Sequence, residues 1–290
     1  MRDLSRRDLL RATAVGAGAV AIPSMIAGSS AIAADGPGWP SDTRFPPAEL
    51  TGRIVRPQSP EYAEASLGWD ELFVHYPLVI VFAQETQDVV NALTWARQHD
   101  VALRVRSGRH NLEGWSNVDN GIVIDVSELK DVHIDTAART AKVGAGLTQS
   151  EAVTALGEHD LAATTGTEGT VGLSGATLGG GLGFLTRYIG MACDNLIGAE
   201  IVVAAGADGA KVLEVDPWNH PDLLWALRGA GNGNFGIVTS LTYQVAPLSS
   251  VAYLQVTWPG LDDLHEVFDA WQRVAPFTDP GSAPRSRCTN

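Results

Sequence analysis

The stretch Arg104–Ser116, RVRSGRHNLEGWS, follows the alternating apolar positions of Leu103 and Val105 with a turn, Ser107-Gly108-Arg109, and then a histidine, His110. Alternation with period two reads as a strand, and the Ser-Gly turn closes it. Three arginines, Arg104, Arg106 and Arg109, surround the imidazole in a chain whose formal net charge is −13. Cations gathered against that background predict an anion held beside His110, although residues alternating along a strand also send one arginine to solvent.

Working outward, a strand–helix–strand rhythm emerges. YPLVIVFA (76–83) is a buried strand, and TQDVVNALTWARQHD (86–100) carries Val89, Ala92, Leu93 and Ala96 at helical spacing with Thr86 as cap. GIVIDVS and TAKVGAG are further strands, and Thr148 with Glu151 forms a capping box for the next helix. LIGAEIVVAAGADGAKVLEV reads as a hairpin turning at Ala207-Asp208-Gly209, and DLLWALRG as a short helix behind Pro221. VAYLQVTW (251–258) and LDDLHEVFDAWQRVA (261–275) read as a new strand–helix unit. The fold class expected is α+β.

With 290 residues, 45% hydrophobic and 18% charged, the chain has material for a substantial core and is not disordered by composition. Its negative charge disfavours a nucleic-acid partner. The N-terminus pairs Arg6-Arg7 with an uncharged run from Ala12 to Ala34 and a small-x-small site at Ala31-Ile32-Ala33. That pattern predicts a twin-arginine signal peptide over 1–33, export to the periplasm or the exterior, and no permanent membrane anchor. Cys193 and Cys288 make no disulfide framework, and Cys193 is expected as a buried free thiol. The seven histidines include no metal-ligand spacing, so no metal site is expected.

Two glycine-rich segments follow the opening stretch: TGTEGTVGLSGATLGGGLG (165–183) and LRGAGNGNFGIVT (227–239). Glycine lets backbone amides approach a phosphate without a side chain in the way. No Walker A sequence exists, and the one Gly-x-Gly-x-x-Ala match, at Gly16, Gly18 and Ala21, follows no strand. Tight turns in a close-packed sheet explain either segment alone as well as a ligand does. The ordered combination of a Ser-Gly-x-His turn, a glycine ladder and a Gly-Asn-Phe-Gly segment points to a cofactor.

In these blocks the chain resembles the flavin-linked oxidases typified by berberine bridge enzyme. The resemblance rests on Arg106-Ser107-Gly108-Arg109-His110, on the ladder from Val171 to Gly183 with Asp194-Asn195 after it, on Asp222 to Gly229, and on Asn234-Phe235-Gly236. It implies a PCMH-type FAD-binding domain of two α+β subdomains over 76–247, preceded by a lead-in over 34–75 and followed by only the beginning of a substrate domain over 248–290. It further implies FAD bonded covalently through His110. Arg106, Ser107, Gly108, Arg109 and Asn111 line the phosphates; Thr170, Gly172, Gly175, Gly179 and Gly180 approach the cofactor from the second segment, and Gly236 and Val238 from the third. The activity implied is hydride removal from a sugar, alcohol or amine carbon, with electrons passing to O₂.

The chain departs from that pattern in three places. Arg109 stands where the family has glycine, and compensation for its backbone strain is expected from a bond to a phosphate. Glu168 stands where some members carry a second flavin-linking cysteine, so a single covalent link is expected. APFTDPGSAPRSRCTN (275–290) loses all period, which reads as a C-terminally truncated member, and no catalytic base is assigned. An inactive remnant with weak or no FAD binding is the alternative reading, and a dehydrogenase using another acceptor is a third.

Overall fold

In the computed structural model, residues 49–258 and 262–284 are described. The expected signal peptide, residues 34–48 of the expected lead-in, and Cys288 lie outside them.

The first sheet is built from β1 (Arg53–Val55), β2 (Val79–Phe82), β3 (Leu103–Arg106) and β4 (Ile122–Asp125), with a short helix α1 (Tyr62–Ala65) after β1 and α2 (Thr86–Gln98) after β2. Its order is β1-β2-β4-β3, with β4 parallel to both neighbours and β1 antiparallel at the edge. All four residues of β2 and all four of β4 are buried. Strands covered on both faces carry continuous apolar runs, hence VIVF and IVID. The segment before residue 76, read as a lead-in, thus supplies an edge strand to this sheet.

The N-terminus of α2 differs from expectation. Glu85 is the cap, and the carboxylate of Asp88, 3% exposed, accepts from the N–H groups of Gln84 and Glu85 at 2.9 and 3.1 Å. Thr86 instead donates its hydroxyl to Glu200 at 2.5 Å. A buried carboxylate reaching back onto two amides satisfies more orphan donors than a threonine hydroxyl.

The second sheet is wholly antiparallel, in the order β5 (Val132–Asp135), β6 (Thr140–Gly144), β10 (Ile237–Gln244), β8 (Leu196–Ala205), β9 (Gly209–Val215). Between β6 and β8 lie α3 (Gln149–Gly157), β7 (Leu161–Ala162), α4 (Leu173–Leu178) and α5 (Thr186–Ile189); α6 (Pro221–Ala230) joins β9 to β10. A core of Leu147, Leu156, Leu173, Leu196, Ile201, Leu227 and Leu241 packs α3, α4 and α6 against the sheet. Thr148 and Glu151 form the expected capping box, and the β8–β9 hairpin turns where expected. Arg97 of α2 donates to the carbonyls of Ala205, Gly206, Ala207 and Gly209, clamping that turn from the neighbouring layer.

Past β11 (Ala246–Pro247), which pairs with β7, residues 251–258 form no strand, contrary to the reading of VAYLQVTW. Among the described residues no strand pairs with them, and Val251, Tyr253 and Leu254 stay exposed. An alternating apolar run becomes a strand only when its N–H and C=O groups find a partner. The helix expected next is present as α7 (Leu264–Val274). Cys193 is the buried free thiol expected, with burial raising its pKa. No helix among the described residues is long and apolar enough to cross a membrane, and no cluster among them has a metal-binding set of side chains.

Candidate functional site

Parallel neighbours cannot be joined by a tight turn, because the chain must return to the sheet's starting edge. The connection from β3 to β4 therefore runs from Ser107 to Gly121 and leaves the sheet at the carboxyl end of β3, where open parallel sheets bind ligands. That position puts the Ser-Gly-Arg-His turn at a sheet edge rather than in a hairpin.

Arg109 has φ +63°, in the left-handed region that glycine enters freely and other residues do not. Among the described residues, the backbone N–H groups of Gly108, Arg109, His110 and Asn111 donate to no protein acceptor. A left-handed residue within such a run turns successive N–H groups toward one side, the arrangement of an anion nest. The Asn111 side chain closes the turn by accepting from Trp115 N–H at 2.7 Å.

The arginines do not do what the sequence suggests. Arg104 is exposed, while Arg106 is buried beneath the turn and donates to Asp125 at 2.6 Å and to the Ala65 carbonyl at 2.5 Å. Burial lowers the Arg106 pKa, and Asp125 opposes that shift. Arg109 directs its guanidinium back toward Asp125 at 3.7 Å and donates to the Glu64 carbonyl at 3.2 Å. The strained Arg109 thus finds partners for its side chain within the protein. One fully buried aspartate explains the concentration of cations, because a charge buried there requires partners.

The turn meets the second glycine segment backbone to backbone. A Cβ at Gly108 would lie 2.2 Å from the Gly172 nitrogen, and one at Gly172 would lie 2.6 Å from the Gly108 nitrogen. The Ala145 carbonyl joins the two segments from below, accepting from Ser107 Oγ at 2.8 Å and Ser174 Oγ at 2.7 Å. At this seam His110 Nε2 lies 3.0 Å from Thr170 Oγ1, and the ring stacks on Trp69 with centroids 5.5 Å apart. Glu168 Oε1 accepts from the Thr170 hydroxyl at 2.8 Å and from its N–H at 3.1 Å, which, with His110 nearby, holds the Glu168 carboxyl below its usual pKa.

The third segment joins at the other end of α4. Gly231 N–H donates to the Leu178 carbonyl at 3.1 Å, and a Cβ at Gly179 would lie 2.5 Å from Asn232 Nδ2. Gly172 caps the start of α4 and Gly179 its end, so the two seams are roughly 10 Å apart at 1.5 Å per residue. Around Gly175, on the same helix, the space a Cβ would occupy is open. Gly180 has φ +115° and Gly236 +151°, conformations that glycine alone adopts easily. Val238 turns its side chain into the core, so only its backbone faces elsewhere. Sequence reasoning missed Trp69 and the Ala145 carbonyl, since no motif or period marks either.

Residues 77–207 match the model of an FAD-binding domain family. The chain is 46% identical over 231 residues to the uncharacterized FAD-linked oxidoreductase YgaK of Bacillus subtilis, covering 80% of this chain and 51% of that one. The chain belongs to the FAD-linked oxidoreductases. Among solved structures it is similar to 6-hydroxy-D-nicotine oxidase of Arthrobacter nicotinovorans, with TM-score 0.65, 35% identity, and coverage of 68% of this chain and 43% of the other. Similarity extends to the xylooligosaccharide oxidase of Myceliophthora thermophila in complex with xylobiose, with TM-score 0.62, 27% identity, and coverage of 67% and 41%. The chain spans about half the length of the curated relatives it matches.

The α+β fold, with its two larger sheets, accords with the FAD-binding domain of these FAD-linked oxidoreductases, and the site's own chemistry fits the cofactor. A pyrophosphate needs N–H donors, and the free amides from Gly108 to Asn111 supply them.

Proposed function

We propose that the chain is the cofactor-holding portion of a flavin-dependent oxidase that takes a hydride from a carbon bearing oxygen or nitrogen in a small molecule and gives the electrons to dioxygen. Bound FAD supplies the redox step. Relatives named as a nicotine oxidase and a xylooligosaccharide oxidase support amines and sugars as the substrate range, with alcohols beside them. The observation that carries this reading is the run of unpaired amides from Gly108 to Asn111, placed beside the Gly108–Gly172 seam with His110 at its edge.

In this reading those amides bind the pyrophosphate. Arg106 and Arg109 hold the turn from beneath through Asp125. Thr170, Gly172, Gly175, Gly179, Gly180, Gly236 and the backbone of Val238 give the rest of the cofactor close access to the main chain. His110 would hold the flavin through a ring nitrogen at the 8α carbon, an attachment that removes one proton from that methyl group and one from the imidazole together with two electrons, all of which dioxygen would accept. Arg6-Arg7 and the apolar run after them direct export of the folded chain by the twin-arginine route, to the periplasm or the exterior.

The test is the purified full chain. Yellow flavin absorbance that stays with the protein after acid precipitation, and is lost from His110→Ala, supports covalent attachment. Peroxide release on a panel of sugars, alcohols and amines identifies the substrate class. A colourless chain that takes up no added FAD would falsify the reading.

A further inference from the structure

The bonds around Thr170 decide where the proton of His110 sits. The Thr170 hydroxyl has one proton, and that proton is donated to Glu168 Oε1 at 2.8 Å. The Thr170 N–H converges on the same oxygen at 3.1 Å. These two bonds, with His110 nearby, hold Glu168 below its usual pKa, so it is an ionised acceptor with no proton to return. Donation to a carboxylate is stronger than donation to a neutral ring nitrogen, which fixes the direction of the hydroxyl. What Thr170 Oγ1 then offers His110 is a lone pair. The 3.0 Å contact is a hydrogen bond only when Nε2 of the neutral ring carries the proton.

We propose that Glu168 is a positioning residue that acts through Thr170 to hold the imidazole proton of His110 on Nε2, leaving the Nδ1 lone pair free, while Trp69 stacked on the ring fixes its plane. Glu168 thereby prepares the histidine proposed to hold the flavin. The consequence for attachment rests on the reading of His110 given above; the placement of the proton does not.

Two measurements separate these. Ring ¹H–¹⁵N correlation spectra of the flavin-free full chain, at a pH where the ring is neutral, report which His110 nitrogen carries the proton and how fast that proton exchanges with water. The expected result is a proton on Nε2 with exchange slowed about tenfold relative to an exposed histidine, the scale of one hydrogen bond. Glu168→Ala and Thr170→Val lose that protection, and Glu168→Gln, whose neutral oxygen is a weaker acceptor than a carboxylate, keeps only part of it. Circular dichroism shows that each variant is folded. A proton on Nδ1 in the wild type, or unchanged exchange in Glu168→Ala, overturns the proposal. Fluorescence of denatured holo-chain then measures covalent flavin, which Glu168→Ala acquires about tenfold more slowly, again the scale of one hydrogen bond, and Glu168→Gln at a rate between those of Glu168→Ala and the wild type. Wild type that binds FAD without a covalent link ends the attachment reading alone, because the spectra still judge the proton.

Discussion

Gly108 and Gly172 lie so close that a methyl group on the first would sit 2.2 Å from the backbone nitrogen of the second. This contact seals the first two glycine segments and places His110 beside Thr170. Gly172 has φ −64°, which any residue adopts, so its substitution is a purely steric probe. Gly172→Ala is expected to force the loops apart, destabilise the chain by about 1–3 kcal/mol and weaken FAD retention. Urea unfolding and flavin release on gel filtration measure the two effects. Wild-type behaviour in both would remove the seam from the site.

Arg109 stands at φ +63° with its guanidinium committed to the Glu64 carbonyl and Asp125. Arg109→Gly relieves the backbone and Arg109→Ala does not, although both lose the same side-chain bonds. The glycine variant should be the more stable of the two by about 1 kcal/mol, seen as a difference in urea midpoint. Equal midpoints would mean that the turn relaxes out of the left-handed region.

Asp125 is fully buried against a guanidinium that is itself 1% exposed. Asp125→Ala leaves Arg106 charged and unpaired, and a loss of about 3–5 kcal/mol is expected in equilibrium unfolding. Arg106→Leu combined with Asp125→Leu should recover most of it, since the pair's desolvation penalty disappears with its charges.

Glu200 links two layers by accepting from Thr86 of α2 and Thr239 of β10 at 2.5 and 2.6 Å. Burial opposes its ionisation, but the hydrogen bonds from Thr239 and Thr86 prevail, and its folded pKa lies below the ordinary value. A carboxylate depressed on folding contributes stability that is complete above the unfolded pKa of about 4.3 and vanishes as pH falls through the lower folded value. Unfolding free energy measured from pH 6 down to pH 3 should fall less steeply for Glu200→Gln than for wild type. Parallel curves would contradict this assignment.

Much of the fold can be read without coordinates. The apolar runs of β2 and β4, the Thr148–Glu151 box and the helix behind Pro221 are local patterns, and local patterns are what periodicity and capping report. Helix α4, inside the glycine ladder, was hidden by the glycines that cap it. The exposed run at 251–258 shows the reverse case, a strand pattern with no partner edge among the described residues.

By itself the sequence determined that a strand ends in a Ser-Gly turn, that a histidine follows it, and that two glycine-rich segments lie downstream. These facts depend on residue type and on neighbours in the chain. Only the tertiary structure decided that Arg106 and Arg109 turn inward to one buried aspartate, that Trp69 stacks on the imidazole, and that Thr170 lies between His110 and Glu168. A hydrogen bond or an ion pair depends on distance and direction in space. Residues 60 positions apart, such as His110 and Thr170, acquire both only when the turn after β3 packs against the segment before α4 at the Gly108–Gly172 contact.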